Sequence, residues 1–156
     1  MAKIGLQAFM LRGVAGDAPF FETLRKVHEL GYNSIELVGL DMFNSTVDEH
    51  LRARDEFGLE YSATSANVEA LAGFGDSLRD DYDKVVGETK ALGAKFIRIP
   101  MAPMSALASR EAWVAYSRTI NEFALRLLDE GIQLTYHNHH VEFMKFDNVH
   151  ALDIMR

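Results

Sequence analysis

One local pattern occurs four times in this chain: a helical stretch, a glycine, then a short run of β-type residues. The instances are HELGYNSIEL ending at Leu37, DEFGLEYSA ending at Ala63, KALGAKFIRI ending at Ile99 and LDEGIQLTY ending at Tyr136. Each glycine (Gly31, Gly58, Gly93, Gly131) stands where a helix must stop, because a left-handed residue after a helix C-terminus is least costly for glycine. They lie 27, 35 and 38 residues apart, matching one strand-plus-helix unit of about 30 or more residues. The chain therefore reads as a serial β/α protein. With the opening KIGLQAFM, five strands are predicted at about Lys3–Met10, Ser34–Leu40, Glu60–Ser65, Lys95–Pro100 and Gln133–His139. Helices are predicted between them at about Pro19–Leu30, Val47–Phe57, Asp76–Leu92 and Arg110–Asp129. Asp17 and Ser109 suit the caps of the first and last of these helices. A fifth helix is predicted to start after Asp147 or Asn148, where Val149, Leu152 and Met155 fall three apart.

At 156 residues the chain has the size of one domain, and residues 1–156 are read as a single unit. Hydrophobic residues make up 48% and charged residues 25%, which excludes disordered, collagenous and coiled-coil classes. The formal charge of -7 repels phosphate backbones and anionic lipids, so no nucleic-acid partner is expected. Cysteine is absent, which removes disulfides, thiolate metal sites and cysteine nucleophiles and fits a cytoplasmic location. The uncharged stretch from Ile99 to Ser109 is too short for a bilayer span, so no membrane association is expected.

In a parallel sheet covered by helices, outward strand positions are apolar. Ile35 and Leu37, Ile97 and Ile99, and Leu134 and Tyr136 meet that requirement, which turns Glu36, Arg98, His137 and His139 to the opposite face. Glu36 and Arg98, on alternate strands, have the parity to share one interior layer of a barrel and are predicted to pair. Their bland role is an inert ion pair closing the barrel centre. The segment TYHNHHVEF from Thr135 to Phe143 concentrates three histidines, an asparagine and a glutamate at the C-terminal end of the fifth strand. That is where β/α enzymes place their chemistry. Imidazole and carboxylate are the usual donors to divalent metals when thiols are absent, and both serve as general acids and bases. His28, His50 and His150 are expected at the surface.

The strings YHNHHVEF, KIGLQAFMLR, GYNSIEL and ALGAKFIRIP, in this order and spacing, resemble the xylose isomerase-like TIM barrels. These are sugar and sugar-phosphate isomerases and epimerases, inosose dehydratases and apurinic endonucleases. The resemblance runs over essentially the whole chain. It implies a parallel (β/α)8-type barrel of which this chain holds about five of eight strands, since such barrels typically need about 250 residues. It further implies a divalent metal (manganese, magnesium, zinc or cobalt) and proton transfer through an enediolate on a small sugar or sugar phosphate. Carried onto this sequence, His137 and Glu142 are the expected metal ligands and Glu142 and His139 the expected catalytic groups. Gln7, Glu36, Arg98 and Asn138 are the expected substrate contacts. Many relatives have a glutamate where this chain has His137, and Glu142 is the carboxylate that could stand in for it. The alternatives are a sugar-binding or interaction module without catalysis and a keto-sugar or inosose dehydratase. The endonuclease branch is disfavoured by the charge. A flavodoxin-like sheet would show strand order 2-1-3-4-5 where a barrel segment shows 1-2-3-4-5. The first and fifth strands of such a segment are open edges, from which self-association is expected.

Overall fold

The computed structural model describes residues 4–13, 19–71 and 75–155; Asp17, expected to cap the first helix, lies outside them. Five strands form one parallel sheet: β1 (Gly5–Gln7), β2 (Ser34–Glu36), β3 (Glu60–Ser65), β4 (Phe96–Ile99) and β5 (Gln133–Tyr136). Their order is β1-β2-β3-β4-β5, which settles the topology as a segment of a barrel wall. The connecting helices are α1 (Phe20–Glu29), α2 (Val47–Phe57), α3 (Tyr82–Ala91) and α4 (Arg110–Asp129).

Local chemistry explains the boundaries. All four glycines of the recurring pattern have left-handed backbones, with φ between 68° at Gly58 and 90° at Gly31. Thr46 and Glu49 form a reciprocal capping box at the start of α2. Ser109 accepts the Ala112 N–H at the start of α4, as expected. Helix α3 starts later than its sequence pattern suggests. Ser77 is fully buried, bridged to Asn67 beyond the end of β3, and bonded to Asp80 and Asp81, so residues 77–81 form a tight turn before the helix.

The helix side of the sheet carries the core. Ile35, Leu37, Ile97 and Ile99 are all at most 1% exposed, in agreement with their outward assignment. The packing divides in two. One cluster joins α1 and α2 to the first strands through Phe20, Leu24, Ile35, Leu37 and Leu59. The other joins α4 to β4 and β5 through Ile97, Ile99, Trp113, Leu127 and Ile132.

The C-terminal stretch departs from expectation. Instead of a helix running on from Asn148, residues Lys145–Phe146 (β6) and Val149–His150 (β7) make an antiparallel hairpin, and α5 spans only Ala151–Ile154. Asp147 and Asn148 both have positive φ (48° and 65°), the conformation of a tight two-residue hairpin turn that these residue types tolerate. Val149, predicted to begin that helix, is instead an exposed strand residue. This hairpin is separate from the main sheet and is not a continuation of the barrel wall. No helix of the described residues is long and apolar enough to cross a membrane.

Candidate active site at the C-terminal ends of the strands

Each of the first four strands brings a polar side chain to the face opposite the helices, and these side chains are wired together. Gln7 of β1 donates its amide N–H to Glu36 Oε1 of β2 at 3.0 Å. Arg98 of β4 places Nε 3.1 Å from the same oxygen, so the predicted Glu36–Arg98 pair forms. The Arg98 guanidinium also donates to Ser65 Oγ of β3, from Nε at 3.2 Å and Nη2 at 2.9 Å. Ser65 passes its own proton to the Leu37 carbonyl at 2.9 Å. Burial makes the guanidinium harder to keep charged, and Glu36 opposes that effect. One carboxylate and one serine thus hold in place a cation that is only 7% exposed.

Above this network lies a pocket of about 130 Å³ whose lining includes Gln7, Phe9, Ser65, Arg98, His137 and His139. Strand β5 was expected to run through His139 and ends at Tyr136. His137 still donates its backbone N–H to the Ile99 carbonyl at 3.0 Å, so its side chain keeps strand register. The His137 and His139 rings face the pocket together, centroids 4.8 Å apart and planes tilted by 56°. His137 is held below its ordinary pKa, first by desolvation and then by the positive charges of Arg98 and His139, against the opposing pull of Glu36 and Glu142. It is therefore disposed to remain the neutral imidazole, able to accept a proton. Asn138, between the two histidines, does not line this pocket.

Glu142 is placed differently from its expected role. It is fully buried, and both its oxygens are engaged: Oε1 accepts the Tyr136 hydroxyl proton and Oε2 the backbone N–H of His139, each at 2.6 Å. The pair expected to hold a metal, His137 and Glu142, is not assembled on the pocket. Among the described residues no cluster of three or more His, Asp or Glu side chains could hold a metal ion. What Glu142 does hold is the turn after β5. By drawing the His139 N–H inward it ends the strand and fixes the path that carries His139.

His50 also differs from expectation. It is fully buried, with Nε2 3.0 Å from Ser45 Oγ and Nδ1 3.0 Å from Tyr61 Oη. Because the Tyr61 hydroxyl donates to the His50 carbonyl, it accepts from Nδ1–H. Desolvation lowers the pKa of this ring to about 4. His28 is exposed, as expected, and His150 is half-buried, its Nδ1 bonded to the Phe143 carbonyl.

Two lining residues escaped the strand-alternation argument. Tyr61 points outward, so strict alternation would send Ala63 and Ser65 outward too. The β2–β3 register slips by one residue between Ile35 and Glu36. Thr64 then meets Thr89 of α3 at 2.7 Å on the helix side, and Ser65 turns inward. Phe9 lies in the short helical turn after β1, with the Arg12 guanidinium 3.8 Å above its ring. An aromatic just past a first strand at the mouth of a β/α sheet is the signal that could have marked it.

No protein-family model and no curated protein sequence matches this chain. Solved structures do match in fold. A sugar phosphate isomerase/epimerase from Parabacteroides distasonis ATCC 8503 superposes with a TM-score of 0.73 at 19% identity, over 98% of this chain and 60% of that one. The probable 3-DHS dehydratase AsbF of Bacillus anthracis gives 0.64 at 19% identity, over 88% of this chain and 53% of that one. The IOLI protein, solved with a bound zinc atom, gives 0.64 at 13% identity, over 86% of this chain and 51% of that one. The chain thus has the fold of the xylose isomerase-like TIM barrels and spans about half to three-fifths of the length of these structures.

Proposed function

We propose that these residues form the first part of a sugar isomerase or epimerase site that moves a proton between carbons next to a carbonyl. The observation that carries the reading is the His137–His139 pair, side by side at the C-terminal end of β5 over the Arg98 network. A neutral imidazole within reach of a carbon-bound proton acts as base, and the adjacent ring can return or relay that proton as the enediolate collapses. Gln7 and Arg98 supply the hydrogen-bonding edge against which a hydroxylated substrate would be oriented. A likeness in fold to a sugar phosphate isomerase/epimerase supports the sugar class. The zinc of one structural neighbour supports a metal in the family, and here the pocket offers two imidazoles without a group of three His, Asp or Glu side chains among the described residues.

The test is exchange of the carbon-bound proton with deuterated water, followed by NMR over a panel of aldoses and ketoses, with metal content measured alongside. Exchange at the carbon beside the carbonyl is expected. Binding without exchange would overturn the catalytic reading in favour of a sugar-binding module, an alternative supported by the mutual bonding of Glu36, Arg98 and Ser65. In that case binding would survive both chelation and His137→Ala. The cytoplasm remains the proposed location, on the absence of cysteine. Among the described residues, strands β1 and β5 each have a neighbour on one side only. Pairing of these edges between copies is proposed, and light scattering showing a monomer at micromolar concentration would refute it.

A further inference from the structure

Resting on the proton-transfer reading above, we infer that Arg98 is itself a catalytic residue of this pocket: the Nη1/Nη2 end of its guanidinium is an oxyanion fork for the two adjacent oxygens of the enediolate. Glu36 and Ser65 are the positioning residues that aim it. A guanidinium is planar and offers its five N–H groups along fixed edges. The edge made by Nε and one Nη2 hydrogen is consumed inside the protein, by Glu36 Oε1 at 3.1 Å from Nε and by Ser65 Oγ at 3.2 Å from Nε and 2.9 Å from Nη2. The opposite end is left open. Nη1 has no partner among the described residues, yet it is not sealed from solvent, although the residue as a whole is buried. Arg98 lines the same pocket as His137 and His139, so this open end and the two imidazoles serve one ligand.

Strand register builds the clamp. Ser65 pairs with Arg98 across β3 and β4, and Gln7 pairs with Glu36 across β1 and β2. Gln7 holds Glu36 Oε1 from the other side at 3.0 Å, so the carboxylate cannot swing away without losing two partners. Held along one edge, the guanidinium plane has a fixed direction, and its free donors need no reorganisation when charge appears beside them. Glu36 also tempers the cation. A partly neutralised guanidinium holds a resident anion weakly and gains most from a charge that develops during the reaction, which is the difference that accelerates a step. In that step an imidazole nitrogen of His137 takes the proton from the carbon beside the carbonyl. The C–H electron pair becomes the C=C bond, and the carbonyl π pair moves onto its oxygen. This oxyanion and the neighbouring hydroxyl oxygen, cis on a planar frame, accept one N–H each from Nη1 and Nη2. The hydroxyl proton then passes to the oxyanion, and the imidazolium proton returns to the former carbonyl carbon on the C=C pair. The second oxygen closes the new carbonyl, and no atom or electron pair is left over.

Two readouts test the role separately. Arg98→Lys keeps a positive charge and removes the fork. Its kcat for carbon-proton exchange should fall about 100-fold or more, with KM changed by less than about threefold. Guanidinium ion at a non-denaturing concentration should restore part of the rate to Arg98→Ala. Glu36→Gln should lower kcat by about tenfold through misaimed donors. A full rate in Arg98→Lys, or a loss carried by KM alone, overturns the catalytic role and leaves the isomerase reading standing. The second readout follows the Arg98 side-chain NMR signals of the unaltered protein during titration with glycolate, whose carboxylate and hydroxyl present adjacent oxygens. Ethylene glycol is the neutral control, and each titration is run with and without EDTA. A saturable shift with glycolate alone, indifferent to EDTA, is expected. An equal shift with ethylene glycol, no shift at all, or a shift abolished by EDTA overturns the fork. This arm needs neither turnover nor a variant, and it decides the matter should Arg98→Lys fail to fold. Glycolate seated on Arg98 in a protein without exchange defeats the isomerase reading and the catalytic role together, and leaves the oxyanion site in place.

Discussion

Two groups of histidines lie on opposite sides of the same sheet. His50, on the helix side, is sealed among Ser45, Tyr61 and the stacked rings of Phe20 and Phe43, and each ring nitrogen has a partner. His137 and His139, on the open side, stand side by side against a pocket. Residue type is identical, and what separates a structural imidazole from a chemical one is whether its nitrogens are already spoken for. Glu142 sharpens the contrast. It sits only three residues beyond His139 in sequence yet belongs, by its bonding, with the sealed group.

The comparison can be broken most severely at Glu142. Glu142→Ala would leave the Tyr136 hydroxyl and the His139 N–H without their acceptor in a dry site, at a cost of about 3–5 kcal/mol. Urea unfolding should show this as a lower midpoint at unchanged slope. A loss below about 1 kcal/mol would mean that the carboxyl is not the structural anchor described here.

The sealed histidine makes stability depend on pH. His50 is lowered to about 4 in the folded protein from an ordinary 6.5. As pH falls, the unfolded chain takes up the proton first, so this contribution is full above about pH 6.5 and is lost progressively towards pH 4. The loss is on the order of 3 kcal/mol. Stability curves of the unaltered protein and His50→Gln should converge in slope if His50 is not responsible for the acid limb.

On the open side the expected effects are reversed. His137→Ala should leave stability within about 1 kcal/mol, because the ring is only partly covered. Carbon-proton exchange should fall by about 100-fold or more. A variant with full exchange activity would remove His137 from the chemistry. The smallest effect belongs to Thr46→Ala, which deletes half of the capping box on the helix bearing His50. A loss of about 1 kcal/mol is expected, with ligand binding unchanged, and calorimetry on the pair of proteins would check both.

The architecture was legible because it is repeated. Four helix–glycine–strand passages fixed the sequential units, and alternation of apolar residues along β2 and β4 was enough to turn Glu36 and Arg98 to one face and pair them. His137 and His139 followed from the same parity. Ser65 was hidden because a single-residue slip in register inverts alternation, and no residue in EYSATS advertises the slip. His50 was misread as a surface group because α2 is otherwise strongly charged, and only its partner Tyr61, eleven residues away on β3, makes a buried place for it. Glu142 misled for a related reason. A carboxylate beside histidines suggests a ligand set, while the nearby donors that consume it, a backbone N–H and a tyrosine hydroxyl, leave no mark of their own in the sequence pattern. The hairpin at Asp147–Asn148 was overlooked because three-residue spacing in so short a stretch is shared by helices and by strands interrupted by a turn.

The strict order of the strands has a kinetic side. Every strand pairs with its immediate predecessor in sequence, and each pairing closes a loop of one β/α unit, about 30 residues. Each pairing must close a loop of that length before it is rewarded, which places the fold between helical bundles and all-β barrels in contact order. The chain can accrete unit by unit, each finished edge serving as the template on which the next strand condenses.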